Sequence, residues 1–333
     1  MEWLYPIALR VIAAVALVFF GLGLFNVNWF LRVRIIAALI AGALIVAAIG
    51  YPLVRPADPL GAISLFTGEI SIVHGVILIV LGFVAGIVGT LVCYPLGRFL
   101  GPLSAPAGVA ILAMTGADTP MTSSNILRQL LLTHSSFDER NAMYAFLRWE
   151  LLFWLGICAA GYLGVLLTTK IMGTKTVITC PEPKLNNKSN YWVNCIIAAV
   201  AAAAIVNFTI GIFAQDIRQI DEKLGYVVGH PGHRQIALGV FVSVAIAGFA
   251  AKHLLNTHFI PIVAGAAAIY IGMFTRLIGS DTLAHMVKTH PIAFFPNSIY
   301  AILPIQFASF AVLGAMTGHW ISIYIKLRPR HPE

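Results

Sequence analysis

"HGVILIVLGFVAGIVG" (His74–Gly89) and "HRQIALGVFVSVAIAG" (His233–Gly248) share one outline: histidine first, glycine last and mostly apolar residues between. At about 1.5 Å per residue, such a run with its flanks crosses a hydrocarbon slab about 30 Å thick. Inside lipid every backbone N–H and C=O has to be paired within its own element, which selects a helix. The whole chain has the same character. Of its 333 residues 59% are hydrophobic and 10% charged, against about 25% charged in soluble domains. The mean hydropathy of +0.89 leaves more apolar surface than a water-soluble fold can hide. The fold class read from these facts is all-α, a polytopic transmembrane helical bundle.

Hydropathy marks about nine spans, at residues 8–26, 35–51, 72–94, 99–115, 149–169, 191–213, 235–251, 259–276 and 299–323. The fourth, which carries Pro102 and Pro106, is the weakest and by itself also reads as a re-entrant segment. The two quoted stretches bear on that choice. A shift of 159 positions lays His74 on His233 and Gly89 on Gly248, then Pro102 on Pro261 and Met114 on Met273. With small adjustments Ile35–Ala38 meets Ile196–Ala199, and Leu155-Gly156 meets Leu313-Gly314. One reading is an internal repeat; the other is that any two apolar hairpins resemble each other.

Under the repeat reading, residues 1–31 are a leading helix and 32–175 a first four-helix unit with an outer loop at 116–148. Residues 176–190 are then a cytoplasmic linker, 191–328 a second unit with an outer loop at 277–298, and 329–333 a basic tail. Four helices separate equivalent positions, so the two units run parallel, as in transporters whose repeats are related by an axis along the membrane normal.

The formal charge of +8 lacks the dense Lys/Arg run that nucleic-acid binding requires, so nucleic acid is not a partner on this reading. The basic residues flank spans, where they set topology and meet lipid headgroups. Eleven acidic residues fall on one side of the nine-span plan and only Glu182 and Glu333 on the other. That asymmetry puts the N-terminus outside and the C-terminus in the cytoplasm of a multi-pass protein of the cell membrane. Cys180 and Cys195 flank the linker and form a candidate bridge, which a cytoplasmic position disfavours. The sequon at Asn187 lies in the same linker.

On this topology most histidines lie outside. His74 and His233 open the third and seventh spans, and His134, His230, His285 and His290 occupy outer loops. The candidate substrate- or proton-binding residues are His74, His233, Glu150 and Asp281, because an imidazole changes charge near neutral pH and carboxylates in or near the membrane are costly without a purpose. For Glu150 the plain alternative is an ion pair with Arg148. His230, His233 and His74 are weak metal candidates, since no H-E-x-x-H or Cys/His cluster completes a zinc set. No motif indicates a cofactor; haem b held by His74 and His233 at matching depth is a minority alternative. Asn207 and Gln306 read as interhelical hydrogen-bonding groups, and Gly82-x-x-x-Gly86 and Gly314-x-x-x-Gly318 as close-packing sites. Leu127, Leu130, Leu131, Phe137, Met143 and Phe146 suggest short amphipathic helices on the outer surface.

No catalytic motif is present, so an enzyme acting alone is not the expectation. The leading functional expectation is a transporter-like protein with a site near a pseudo-twofold axis, opening to the outer face. The alternative is a membrane subunit of a redox or assembly complex that binds haem, quinone or a protein partner.

Overall fold

Long apolar runs become helices in the computed structural model, which describes residues 4–24, 27–56, 61–115, 127–173, 188–229, 231–292 and 294–327. Eight helices among the described residues are long and apolar enough to cross a membrane. They are α2 (Trp29–Val54), α3 (Ile72–Val92), α4 (Gly97–Thr115), α6 (Phe137–Ile171), α7 (Lys188–Phe213), α8 (His233–Leu255), α9 (Ile260–Leu277) and α11 (Pro304–Leu327). A further apolar helix, α1 (Leu4–Leu24), precedes them. Two short helices, α5 (Leu127–Thr133) and α10 (Asp281–Thr289), lie between spans. The protein is an all-α polytopic membrane protein, and its apolar helices call for a lipid bilayer around them.

The chain divides into two compact units. The first comprises Met1–Gln129, Glu150–Cys180 and Pro304–Ser309; the second comprises Leu130–Trp149, Pro181–Leu303 and Phe310–Glu333.

In the first unit α2 packs against both α3 and α4. The contacts are made through small residues, because lipid gives apolar helices no hydrophobic reason to associate and close packing has to do so instead. A Cβ on Gly42 of α2 would stand 1.8 Å from the Ser104 carbonyl oxygen of α4. A Cβ on Gly86 of α3 would stand 1.9 Å from the Gly161 oxygen of α6, and one on Gly82 would meet the Ile157 oxygen at 2.7 Å. One turn along α3 corresponds to one turn along α6 in the same direction, so the pair runs parallel. Ser104 Oγ donates to the Ala85 carbonyl at 2.7 Å and ties α4 to α3.

The weakness of the fourth span has its cause here. Of its best membrane-crossing window 78% is buried inside the protein, against 28% for α7. α4 faces neighbours rather than lipid, so it carries Ser104, Gly101 and Gly108 where a lipid-facing helix carries large apolar side chains.

In the second unit α7 packs against α8 and α9. Gly265 of α9 approaches the Ala199 oxygen so closely that a Cβ would stand 2.1 Å from it. α8 and α11 again form a parallel pair through glycine: a Cβ on Gly314 would meet the Phe241 oxygen at 2.4 Å, and one on Gly318 the Ala245 oxygen at 2.0 Å.

Two connections differ from the sequence reading. Residues 137–148 are not surface helices but the first turns of α6, a single helix of 35 residues. At about 1.5 Å per residue it is about 52 Å long, well beyond the slab thickness. The capping box at its start explains the extension: Ser136 Oγ accepts from Glu139 N at 3.3 Å, and Glu139 Oε2 accepts from Ser136 N at 3.1 Å. The second difference is a small antiparallel sheet of β1 (Arg218–Asp221), β2 (Gly225–Gly229) and β3 (Phe294–Phe295), in the order β1-β2-β3.

Candidate functional site

The end of the second unit where α8 begins brings together one carboxylate and two imidazoles. Strand β1 ends at Asp221, opposite Gly225. The intervening loop folds back because Asp221 Oδ1 accepts from Lys223 N at 2.9 Å and Leu224 N at 2.7 Å, and Gly225 closes the turn at φ +79°. This leaves the rest of the carboxylate facing α10. Helix α10 starts on Ser280, whose Oγ accepts from Leu283 N at 3.2 Å, and it buries Leu283 and Met286. His285 lies on the neighbouring face and His290 at the C-terminal cap.

Both imidazoles donate to Asp221. His285 Nε2 lies 3.0 Å from Oδ1 and 2.9 Å from Oδ2, and His290 Nε2 lies 3.0 Å from Oδ2. The Asp221 side chain is 5% exposed and those of His285 and His290 are 19% and 15% exposed. His285 foremost, then the Leu224 N–H, His290 and the Lys223 N–H hold the Asp221 carboxyl well below the usual carboxylate range, against burial, which pushes the other way. Each ring uses Nε2–H on the carboxylate, so the arrangement is a clamp that joins hairpin to helix. Arg140 on α6 braces the same end: its guanidinium donates to the carbonyls of Leu131, His134 and Pro291.

The residues singled out from the sequence have varied surroundings. Glu150 is 2% exposed. Its Oε2 accepts from Ser64 Oγ at 2.6 Å, and its Oε1 accepts from Trp154 Nε1 at 2.8 Å and Leu65 N at 3.1 Å. The expected pairing with Arg148 is not made. Arg148 instead reaches Thr275 Oγ1 at 3.3 Å and lies 4.9 Å over the Trp149 ring. The reason is local: the loop at Ser64–Phe66 brings neutral donors directly onto the carboxylate.

His74 stands in the first turn of α3 in the first unit, with its Nδ1 buried and making no hydrogen bond. His233 is the first residue of α8 in the second unit and is 5% exposed. Asp281 is exposed in the first turn of α10, where a negative charge suits the positive end of the helix dipole. His230, Cys180 and Asn187 lie outside the described residues, and Cys195 is a free thiol. Asn207 Oδ1 is buried on α7 and makes no hydrogen bond, contrary to the interhelical role expected of it. Among the described residues no group of three or more His, Cys, Asp or Glu side chains is arranged to hold a metal ion.

The sequence reading placed His285 and His290 in outer loops but did not join them to Asp221. The signal was the Asp-Glu-Lys-Leu-Gly turn between two β-branched stretches, which announces a hairpin. What these groups define is the class, a multi-pass integral membrane protein with a structured polar cap on its second unit. Comparison with protein-family models, with curated proteins and with solved structures finds no match to this chain.

Proposed function

We propose that this membrane protein is transporter-like and built from two copies of one four-helix unit. The observation that carries the reading is the repetition of helix pairings. In the first unit α2 packs on α3 and α4, and α3 runs parallel to α6 through Gly86 and Gly161. In the second α7 packs on α8 and α9, and α8 runs parallel to α11 through Ala245 and Gly318. A shift of 159 carries Gly86 to Ala245, and the downstream shift of 158 carries Gly161 to His319, one residue from Gly318. Repeats of this kind are the usual frame of secondary transporters.

The transported species on this reading is proton-linked, with His74 and His233 at equivalent helix starts as the proton-exchanging groups and Asp281 near the entrance. Glu150 serves the framework, since three donors already satisfy it. The clamp at Asp221 belongs to the cap over the second unit, which the topology reading places on the outer face.

The test is reconstitution into liposomes containing a pH-sensitive dye, with an imposed pH gradient and potassium–valinomycin to clamp the voltage. The expected result is dye response above that of empty liposomes, reduced at least tenfold in the His74→Ala/His233→Ala double variant, with equal reconstituted protein. No response above empty liposomes, or an unchanged response in the double variant, overturns the reading.

A further inference from the structure

The opposite end of the second unit, where α8 ends and α9 begins, presents a different chemistry. α8 stops at Leu255 with Asn256 in the left-handed region at φ 51°, and its last turn carries Lys252 and His253. Thr257 and His258 then lead into Phe259, the cap residue of α9. α11 comes alongside: Lys326 Nζ donates to the carbonyls of His253 at 3.0 Å and Lys252 at 3.3 Å, capping the end of α8. One and two turns earlier on the same face of α11 stand Ser322 and His319. The His319 ring lies 5.7 Å from that of His258 and 6.3 Å from that of Phe259, and Lys252 and His258 are the charged or chargeable groups facing it.

Three polar side-chain atoms here have no hydrogen-bond partner although they are buried: His319 Nδ1, Thr257 Oγ1 and Ser322 Oγ. His319 is 8% exposed, and Thr257 and Ser322 are 0% exposed. Several helical hydroxyls in the spans, among them Thr90, Thr168, Thr209, Thr275 and Ser309, satisfy themselves on the carbonyl four residues back. Ser322 does not, nor does Ser243 in the middle of α8. Orphaned donors at this depth are costly unless something accepts from them.

Among the described residues the charged or chargeable groups facing His319 are basic, Lys252 and His258. No Asp or Glu occurs between Glu222 and Asp281 or between Asp281 and Glu333, the stretches that supply every residue of the cluster. The positive end of α9, an 18-residue helix, adds to the same field. Donors without acceptors beside a lysine call for an oxyanion.

We propose that this cluster binds a phosphate group through Lys252, Thr257, His319 and Ser322. The surroundings favour a lipid headgroup as the source. Leu254, Ile260, Ile321 and Ile325 are exposed apolar residues on α8, α9 and α11, beside the cluster, and offer a surface on which acyl chains lie. Basic recesses between spanning helices are a recurrent setting for anionic headgroups.

The test uses the full chain in detergent micelles, with thermal unfolding measured after addition of phosphatidylglycerol, of phosphatidylcholine, or of inorganic phosphate. Phosphatidylglycerol is expected to raise Tm by about 3–5 °C over phosphatidylcholine. Lys252→Met, which keeps the aliphatic stem and removes the charge, and Thr257→Val, which replaces the orphaned hydroxyl by a methyl, are expected to abolish that difference while Tm without lipid stays within about 2 °C. Inorganic phosphate alone producing the same shift, lost in the same variants, assigns the site to free phosphate rather than lipid. No shift with either phosphate source, or a shift that both variants retain in full, overturns the proposal.

Discussion

Ser64 Oγ donates to Glu150 Oε2 at 2.6 Å across 86 residues of sequence, and the bond fastens the loop before α3 to the middle of α6. Glu150 therefore accepts from three donors, two of them on that loop. Replacing it with alanine leaves Ser64 Oγ, Trp154 Nε1 and the Leu65 N–H without their acceptor. The cost is about 3 kcal/mol or more, since each orphaned buried donor costs about 1–3 kcal/mol. Glu150→Gln keeps one acceptor oxygen and is expected to lose about half as much. Thermal melting in detergent decides this, and an alanine variant as stable as the parent would show that the network holds nothing.

Asp221→Asn is expected to loosen the cap and leave the spans intact. The carboxyl is held below its ordinary value in the folded protein, so its contribution is complete above the unfolded value near pH 4. It drains away as the pH falls through the depressed folded value. Hydrogen exchange over residues 218–229 and 281–292 should therefore be faster in Asp221→Asn than in the parent at pH 6, and the gap should close in strong acid. A gap that closed between pH 6 and 8 instead would place the controlling titration elsewhere.

The glycine crossings give a paired comparison. Gly86→Ala and Gly318→Ala put a Cβ at 1.9 and 2.0 Å from backbone oxygens that cannot move without their helices. Each is expected to destabilise by about 1–3 kcal/mol, the range for overpacking, or to prevent folding. Gly156 meets nothing within 4 Å, so Gly156→Ala should be neutral or stabilise by up to about 1 kcal/mol. Equal behaviour of all three in a detergent melt would contradict the parallel helix pairs.

Arg140 is 3% exposed and spends its guanidinium on three backbone carbonyls at separate points of the chain. Arg140→Met keeps the aliphatic stem and removes those bonds, at an expected cost of about 3 kcal/mol, because bonds from a charged donor contribute about 1.5–3 kcal/mol each and are not additive. Arg140→Lys should recover only part, since an ammonium lacks the planar fork. Limited proteolysis near Pro291 reads the outcome directly.

Much of the framework is legible in the sequence. The eight spanning helices fall where hydropathy put spans two to nine, and Gly82, Gly86, Gly314 and Gly318 pack as their spacing indicated. Side-chain partners were not legible. Arg148 next to Glu150 in sequence suggested an ion pair, yet a loop 85 residues away supplied the donors. The segment before Glu150 looked like separate surface helices because its polar residues interrupt the apolar pattern. A capping box at Ser136 nonetheless let one helix run through it.

Sequence alone determined the solvent and the spanning helices, because in hydrocarbon each backbone polar group has to bond within its own helix and that demand is local. Tertiary structure decided everything that depends on two distant side chains meeting. It set Asp221 against His285 and His290, gave Glu150 the donors of Ser64 and Leu65, and brought His258 beside His319 at one end of the second unit. Such meetings follow from how helices cross, and the crossings are fixed by close contacts between residues far apart in the chain, which periodicity along one segment does not record.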